Sequence, residues 1–100
     1  MEKRTPHYDL VRVKAEVARL GVAAFTKTAL EGGWAMGLTT GEMIAVIASL
    51  SRCNFYKSMT TYGDYRIWQD VYHAATPMKK DAYIKITFRG SAPVIQFKEK

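Results

Sequence analysis

The chain reads as an α+β domain in which helices come first and an antiparallel sheet follows, and two observations carry this. Apolar residues recur at spacings of three and four through most of the first fifty residues, then alternate with polar ones after Cys53. The alternating part is interrupted at Gly63-Asp64, at Thr76 to Asp81 around Pro77, and at Gly90-Ser91, each a connection suited to a hairpin. Helices then strands is the order of a sheet covered on one face and open to solvent on the other.

From Tyr8 to Leu20, the residues Leu10, Val13, Val17 and Leu20 form an apolar helical stripe, with Arg12, Lys14, Glu16 and Arg19 between them. Gly21 suits a C-terminal cap, and the short apolar run Val22 to Phe25 reads as a strand. Thr26 caps a second helix through Leu30 or Glu31, which Gly32, Gly33 and Gly37 are expected to break. Thr39 or Thr40 caps a third, to about Ser51, whose Met43, Ile44, Val46, Ile47 and Leu50 form a stripe wide enough for deep burial. Four strands follow, Tyr56 to Tyr62, Tyr65 to His73, Ala82 to Arg89 and Val94 to Lys98.

A chain of 100 residues with 48% hydrophobic and 24% charged residues is one globular domain, residues 1–100, and is too well supplied with apolar residues for disorder. Its longest uninterrupted apolar run, Met43 to Ala48, is far below the ~20 residues that cross a bilayer. The opening Met-Glu-Lys-Arg-Thr-Pro-His has no apolar run behind its basic pair, so no secretory signal is expected. Cys53 is alone, which excludes a disulfide scaffold and fits a reducing, cytoplasmic setting. Of the net charge of +6, the first fifty residues supply +1 (6 basic, 5 acidic) and the last fifty +5 (9 basic, 4 acidic). Basic residues gathered in this way favour phosphate-bearing partners, although a merely solvated basic surface accounts for charge alone about as well.

Strand parity assigns the charge to one surface. Ile84, Ile86 and Phe88 share a face, as do Ile95 and Phe97, which leaves Tyr83, Lys85, Gln96 and Lys98 on the other. In Tyr65 to His73 either alternating set can point inward, so parity does not place Gln69. An open sheet face with lysines and tyrosine can bind RNA by phosphate contact and base stacking, or cut it. Cutting needs few groups, because the ribose 2′-hydroxyl is the nucleophile. The protein supplies proton transfer and cations around the pentacoordinate phosphate, and no metal or other cofactor is required. Asp64, Asp70 and Asp81 are dispersed, the histidines are His7 and His73, and no phosphate loop ending in Lys-Ser/Thr occurs. Metal-dependent nucleases and nucleotide triphosphatases are therefore disfavoured.

At Phe55 to Tyr62 (FYKSMTTY) and Ile67 to Tyr72 (IWQDVY) the chain resembles the motility quorum-sensing regulator (MqsR) toxins, RelE-like messenger-RNA interferases of type II toxin-antitoxin systems. MEKRTPH, Tyr83-Ile84-Lys85-Ile86 and the terminal Phe97-Lys98-Glu99-Lys100 extend the likeness along the whole chain. The resemblance implies a RelE-like twisted antiparallel sheet with N-terminal helices packed on one face. It also implies metal-free, ribosome-independent endoribonuclease activity at GC-containing trinucleotides such as GCU. The partner it implies is an MqsA-like antitoxin with a zinc-containing N-terminal domain and a helix-turn-helix C-terminal domain. The family's catalytic residues fall on Lys57, Gln69 and Tyr83. The chain departs from the family where His73-Ala74-Ala75 replaces an arginine-bearing segment after IWQDVY.

Taken singly, a lysine at the start of a strand is usually solvated, and a Gln or Tyr on a sheet surface usually does nothing; the motif raises all three. Lys57 is expected to stabilise charge, Gln69 to position a base edge or phosphate oxygen, and Tyr83, with Lys85 two positions on, to move a proton. Lys85, Arg66, Arg89 and His73 are expected to contact RNA, and Lys79 and Lys80 are as well explained as loop charges. Two other readings compete. Thr26 to Leu50 can be drawn as a DNA-binding helix-turn-helix, but its second helix offers one acid and no base to a groove. A non-catalytic RNA-binding or protein-interaction domain would use the same sheet face.

Overall fold

Helix α1 (Leu10–Leu20) starts where the Asp9 carboxylate accepts a hydrogen bond from Val11 N–H at 3.0 Å, and ends at Gly21, whose φ of 59° carries the chain out of the helix. Helix α2 (Lys27–Ala35) is capped by Thr26, and α3 (Thr40–Ala48) by a reciprocal box between Thr39 and Glu42. The computed structural model describes residues 1–100 and adds five strands, β1 (Glu2–Lys3), β2 (Phe55–Thr60), β3 (Trp68–Ala75), β4 (Asp81–Arg89) and β5 (Ala92–Glu99). They form one antiparallel sheet in chain order. The α+β class expected from the sequence is the class found.

The core lies between one sheet face and the helices. Val13 and Val17 of α1 and Met43 and Ile47 of α3 meet Ile84, Ile86, Ile95 and Phe97. Each fully buried aliphatic side chain contributes about 1.5–3 kcal/mol of burial free energy. With Met43, Val46 and Ile47 inside, the helix that a helix-turn-helix would lay in a DNA groove is part of the core.

Several boundaries differ from expectation. Val22 to Phe25 is no strand: Gly21–Ala24 is a 3₁₀ turn, and Phe25 alone bridges to Ile95. Gly32 and Gly33 do not break α2. They lie inside it because α2 packs closely: a Cβ on Gly32 would collide with the Phe97 carbonyl oxygen, and one on Gly33 with the Met43 sulfur. Helix α3 stops at Ala48 rather than near Ser51, since Ser51 and Asn54 close a separate 3₁₀ turn, Arg52–Asn54. Tyr65 to Ile67 leaves the sheet because Asp64 captures the backbone: its carboxylate takes Arg66 N–H at 2.9 Å and its carbonyl takes Ile67 N–H at 3.1 Å. Strand β1, two residues long, has no alternation to betray it.

One buried carboxylate ties the N-terminal segment to the sheet. Asp70, 1% exposed, accepts the backbone N–H groups of His7 and Tyr8 and the Ser58 hydroxyl at 2.7 Å. Asp70 thus faces the helix side of β3, which turns its neighbour Gln69 to the open side.

Candidate active site on the free sheet face

Register lays the open face out in rows that cross the strands. Lys57 of β2 faces Val71 of β3, which faces Lys85 of β4, which faces Gln96 of β5. Toward the β3–β4 turn, His73 faces Tyr83 and Tyr83 faces Lys98, and the irregular register between Phe55 and Lys57 lets Tyr56 stack on His73 with ring centroids 4.5 Å apart. On the other side of the lysine row, Met59 pairs with both Gln69 and Glu2. Lys57, Gln69 and Tyr83, from three strands and 26 positions of sequence, therefore share one surface.

Its electrostatics are uneven. The Lys57 ammonium lies 3.0 Å from the Glu2 carboxylate, and that hydrogen bond holds the Lys57 pKa above its usual value and that of Glu2 below. Lys85 is moved the other way: burial, with Lys98 adding to it, makes its ammonium easier to deprotonate than an ordinary lysine. Val71, between the two lysines in the row, is fully buried. Tyr83 carries Lys98 over its ring at 5.3 Å and lies 5.4 Å from the His73 ring.

His73 Nε2 is buried and has no hydrogen-bond partner, and burial lowers the histidine's pKa, with Lys100 adding to the effect and Asp81 opposing it. The ring is wedged between two tyrosines rather than extended toward solvent. Arg66 and Arg89 stand apart from the rows. Arg66 is exposed in the β2–β3 loop, paired with Asp64 at 3.0 and 3.1 Å, and Arg89 is exposed beside the β4–β5 turn. They form a rim, and the remaining predicted residues form the face. Two hollows open on that face. One, ≈ 680 Å³, lies between α2 and the last two strands, with Tyr83 and Gln96 in its lining; the other, ≈ 450 Å³, lies toward β1, beside Gln69 and Tyr62; Lys85 lines both. Sequence reasoning missed Glu2, which depends on the unforeseen β1, and the α2 wall, which depends on glycines read as helix breakers.

An α+β domain with a basic, aromatic, open sheet face and two hollows has the charge and ring chemistry that binders of single-stranded nucleic acid use. A family model described as "Motility quorum-sensing regulator, toxin of MqsA" matches residues 5–99. Over 100 residues, all of both chains, the sequence is 44% identical to the mRNA interferase toxin MqsR of Escherichia coli (strain K12). The chain belongs to the motility quorum-sensing regulator toxin family.

Proposed function

We propose that this chain is the endoribonuclease toxin of a type II toxin-antitoxin pair, cutting messenger RNA without a metal or the ribosome, at GC-containing trinucleotides. The observation that carries the chemistry is the presence of Lys57, Gln69 and Tyr83 on one open face beside Lys85. The 2′-hydroxyl attacks the adjacent phosphorus, its proton leaves to a base, the P–O5′ bond breaks and the 5′-oxygen gains a proton, giving a 2′,3′-cyclic phosphate and a 5′-hydroxyl. Lys57, paired with Glu2 until phosphate replaces that carboxylate, stabilises the phosphorane; Gln69 positions; Tyr83 moves a proton, and Lys85, whose ammonium burial makes easier to deprotonate than an ordinary lysine's, neighbours it.

No helix is long and apolar enough to cross a membrane, and a cytoplasmic setting suits the substrate. The family description names MqsA as the toxin's partner. An MqsA-like antitoxin, with a zinc-containing N-terminal domain and a helix-turn-helix C-terminal domain, is the expected neutralising partner here.

The test is cleavage of a long RNA in EDTA with end-group analysis. Cyclic or 3′-phosphate ends are expected, and losses of ~10²- to 10³-fold for Lys57→Ala and ~10²- to 10⁴-fold for Tyr83→Phe. Strict magnesium dependence or 3′-hydroxyl ends would overturn the mechanism. RNA binding without cleavage would leave the non-catalytic reading.

A further inference from the structure

We infer that the larger hollow is a nucleobase subsite and that Glu31 is its specificity-determining residue, selecting guanine. The inference rests on the free face being the RNA site. The hollow opens beside Tyr83 and Lys85, so a phosphate held at Lys85 places the base of an adjoining nucleotide within reach of it. At ≈ 680 Å³ it falls within the ~300–1,000 Å³ of small-ligand sites. Its outer wall exists because Gly32 brings α2 against the Phe97 carbonyl, which carries Thr28 and Glu31 to the free side of the sheet.

The lining has a chemical bias. Thr28, Glu31 and Gln96 make no side-chain hydrogen bond or ion pair within the protein, and the cations are on the strand side, Lys85 and Lys98. A carboxylate repels phosphate, so the α2 wall is where the backbone of a bound strand does not run and a base does. An ionised carboxylate only accepts hydrogen bonds. Guanine alone presents two adjacent donors, N1–H and an N2–H, to its two oxygens. Adenine and cytosine place a ring-nitrogen acceptor beside their single amino group, and uracil flanks its one N–H with carbonyls, so each sets an acceptor against the carboxylate. Gln96 and Thr28, each donor and acceptor, serve the remaining edge.

The experiment has two arms on the full chain, wild type and Glu31→Gln. One maps cut sites on a long RNA. The other measures binding of short RNAs made uncleavable by a 2′-deoxy sugar at the scissile position, with each base in turn at the flanking position. Wild type is expected to favour guanine at one flanking position. Glu31→Gln is expected to lose about 10- to 100-fold of that discrimination and to gain adenine and cytosine, whose amino N–H beside a ring-nitrogen acceptor matches a carboxamide, while unfolding unchanged because Glu31 is exposed. An unaltered base profile in both arms overturns the subsite while leaving the nuclease standing. Guanine-dependent, Glu31-dependent binding without cleavage supports the subsite and removes the nuclease. Absence of RNA binding overturns both.

Discussion

Glu2 holds Lys57 by an ion pair of 3.0 Å across the edge of the sheet, so the cation assigned to the phosphate already has an anion on it in the free chain. Glu2 is the more exposed partner, at 57% against 20% for Lys57, and is the one free to leave. Its lowered pKa keeps it ionised above the ordinary carboxylate range and its charge is lost only as pH falls through that lowered value; the raised Lys57 pKa keeps the cation until pH rises past the ordinary lysine range. The pair is thus intact across neutrality. Glu2→Gln is expected to tighten uncleavable RNA about two- to fivefold, with the gain fading at high salt. Anisotropy titrations at two salt concentrations measure it, and an unchanged affinity would mean that phosphate does not use Lys57.

The Asp70 carboxylate predicts a stability effect distinct from catalysis. It satisfies two backbone donors of the N-terminal segment and the Ser58 hydroxyl inside the protein. Asp70→Ala strands all three, and a loss of about 2–4 kcal/mol is expected in urea unfolding. Ser58→Ala removes one donor to a carboxylate that keeps two others, and about 1–2 kcal/mol is expected. Equal losses for the two variants would show that Ser58, not the N-terminal segment, is what Asp70 holds.

Acid should weaken the fold through its histidines. Burial lowers the pKa of both His7 and His73 from an ordinary 6.5; Lys3 adds to the effect at His7 and Lys100 at His73, while Asp70 and Asp81 respectively oppose it. The unfolded chain then binds more protons than the folded one between the lowered values and 6.5, so stability is complete above about pH 6.5 and falls as pH drops below it. His73→Phe, which keeps a ring between Tyr56 and Tyr83, is expected to flatten the slope of unfolding free energy between pH 5 and 6.5. A slope identical to wild type would assign the whole acid effect to His7 and the carboxylates.

What could be read from the sequence was whatever follows from periodicity. The core positions Val13, Val17, Ile84 and Ile86 and the outward set Tyr83, Lys85, Gln96 and Lys98 depend only on spacing within one element, and they stand where spacing puts them. Gln69 could not be placed, because its face is decided by Asp70, a polar residue pointing inward to meet a segment more than sixty positions away. Glu2 escaped for the same reason of distance, since two residues of strand have no period. His73 is expected from the sequence to contact RNA, and its place between two rings is invisible there, because the irregular register at Tyr56 is what makes it the middle ring of a stack.

The glycines of α2 were the least legible feature, and they give the last prediction. Glycine inside a helix costs about 1 kcal/mol relative to alanine, so Gly32→Ala and Gly33→Ala would both stabilise an isolated α2. In the fold each new Cβ meets an occupied place, but the obstacles differ in kind. At Gly33 it is the end of the Met43 side chain, flexible though fully buried, which can change rotamer. At Gly32 it is the backbone carbonyl of Phe97, on a strand that β4 holds in place, so α2 itself must move outward. Gly32→Ala is therefore expected to lose about 1–3 kcal/mol in urea unfolding, and Gly33→Ala less. Because Glu31 travels with α2, Gly32→Ala should also blunt the base preference assigned to Glu31, whereas Gly33→Ala should keep it. If Gly33→Ala proves the less stable of the two, α2 is fixed by its packing on Met43 of α3 rather than by its approach to β5.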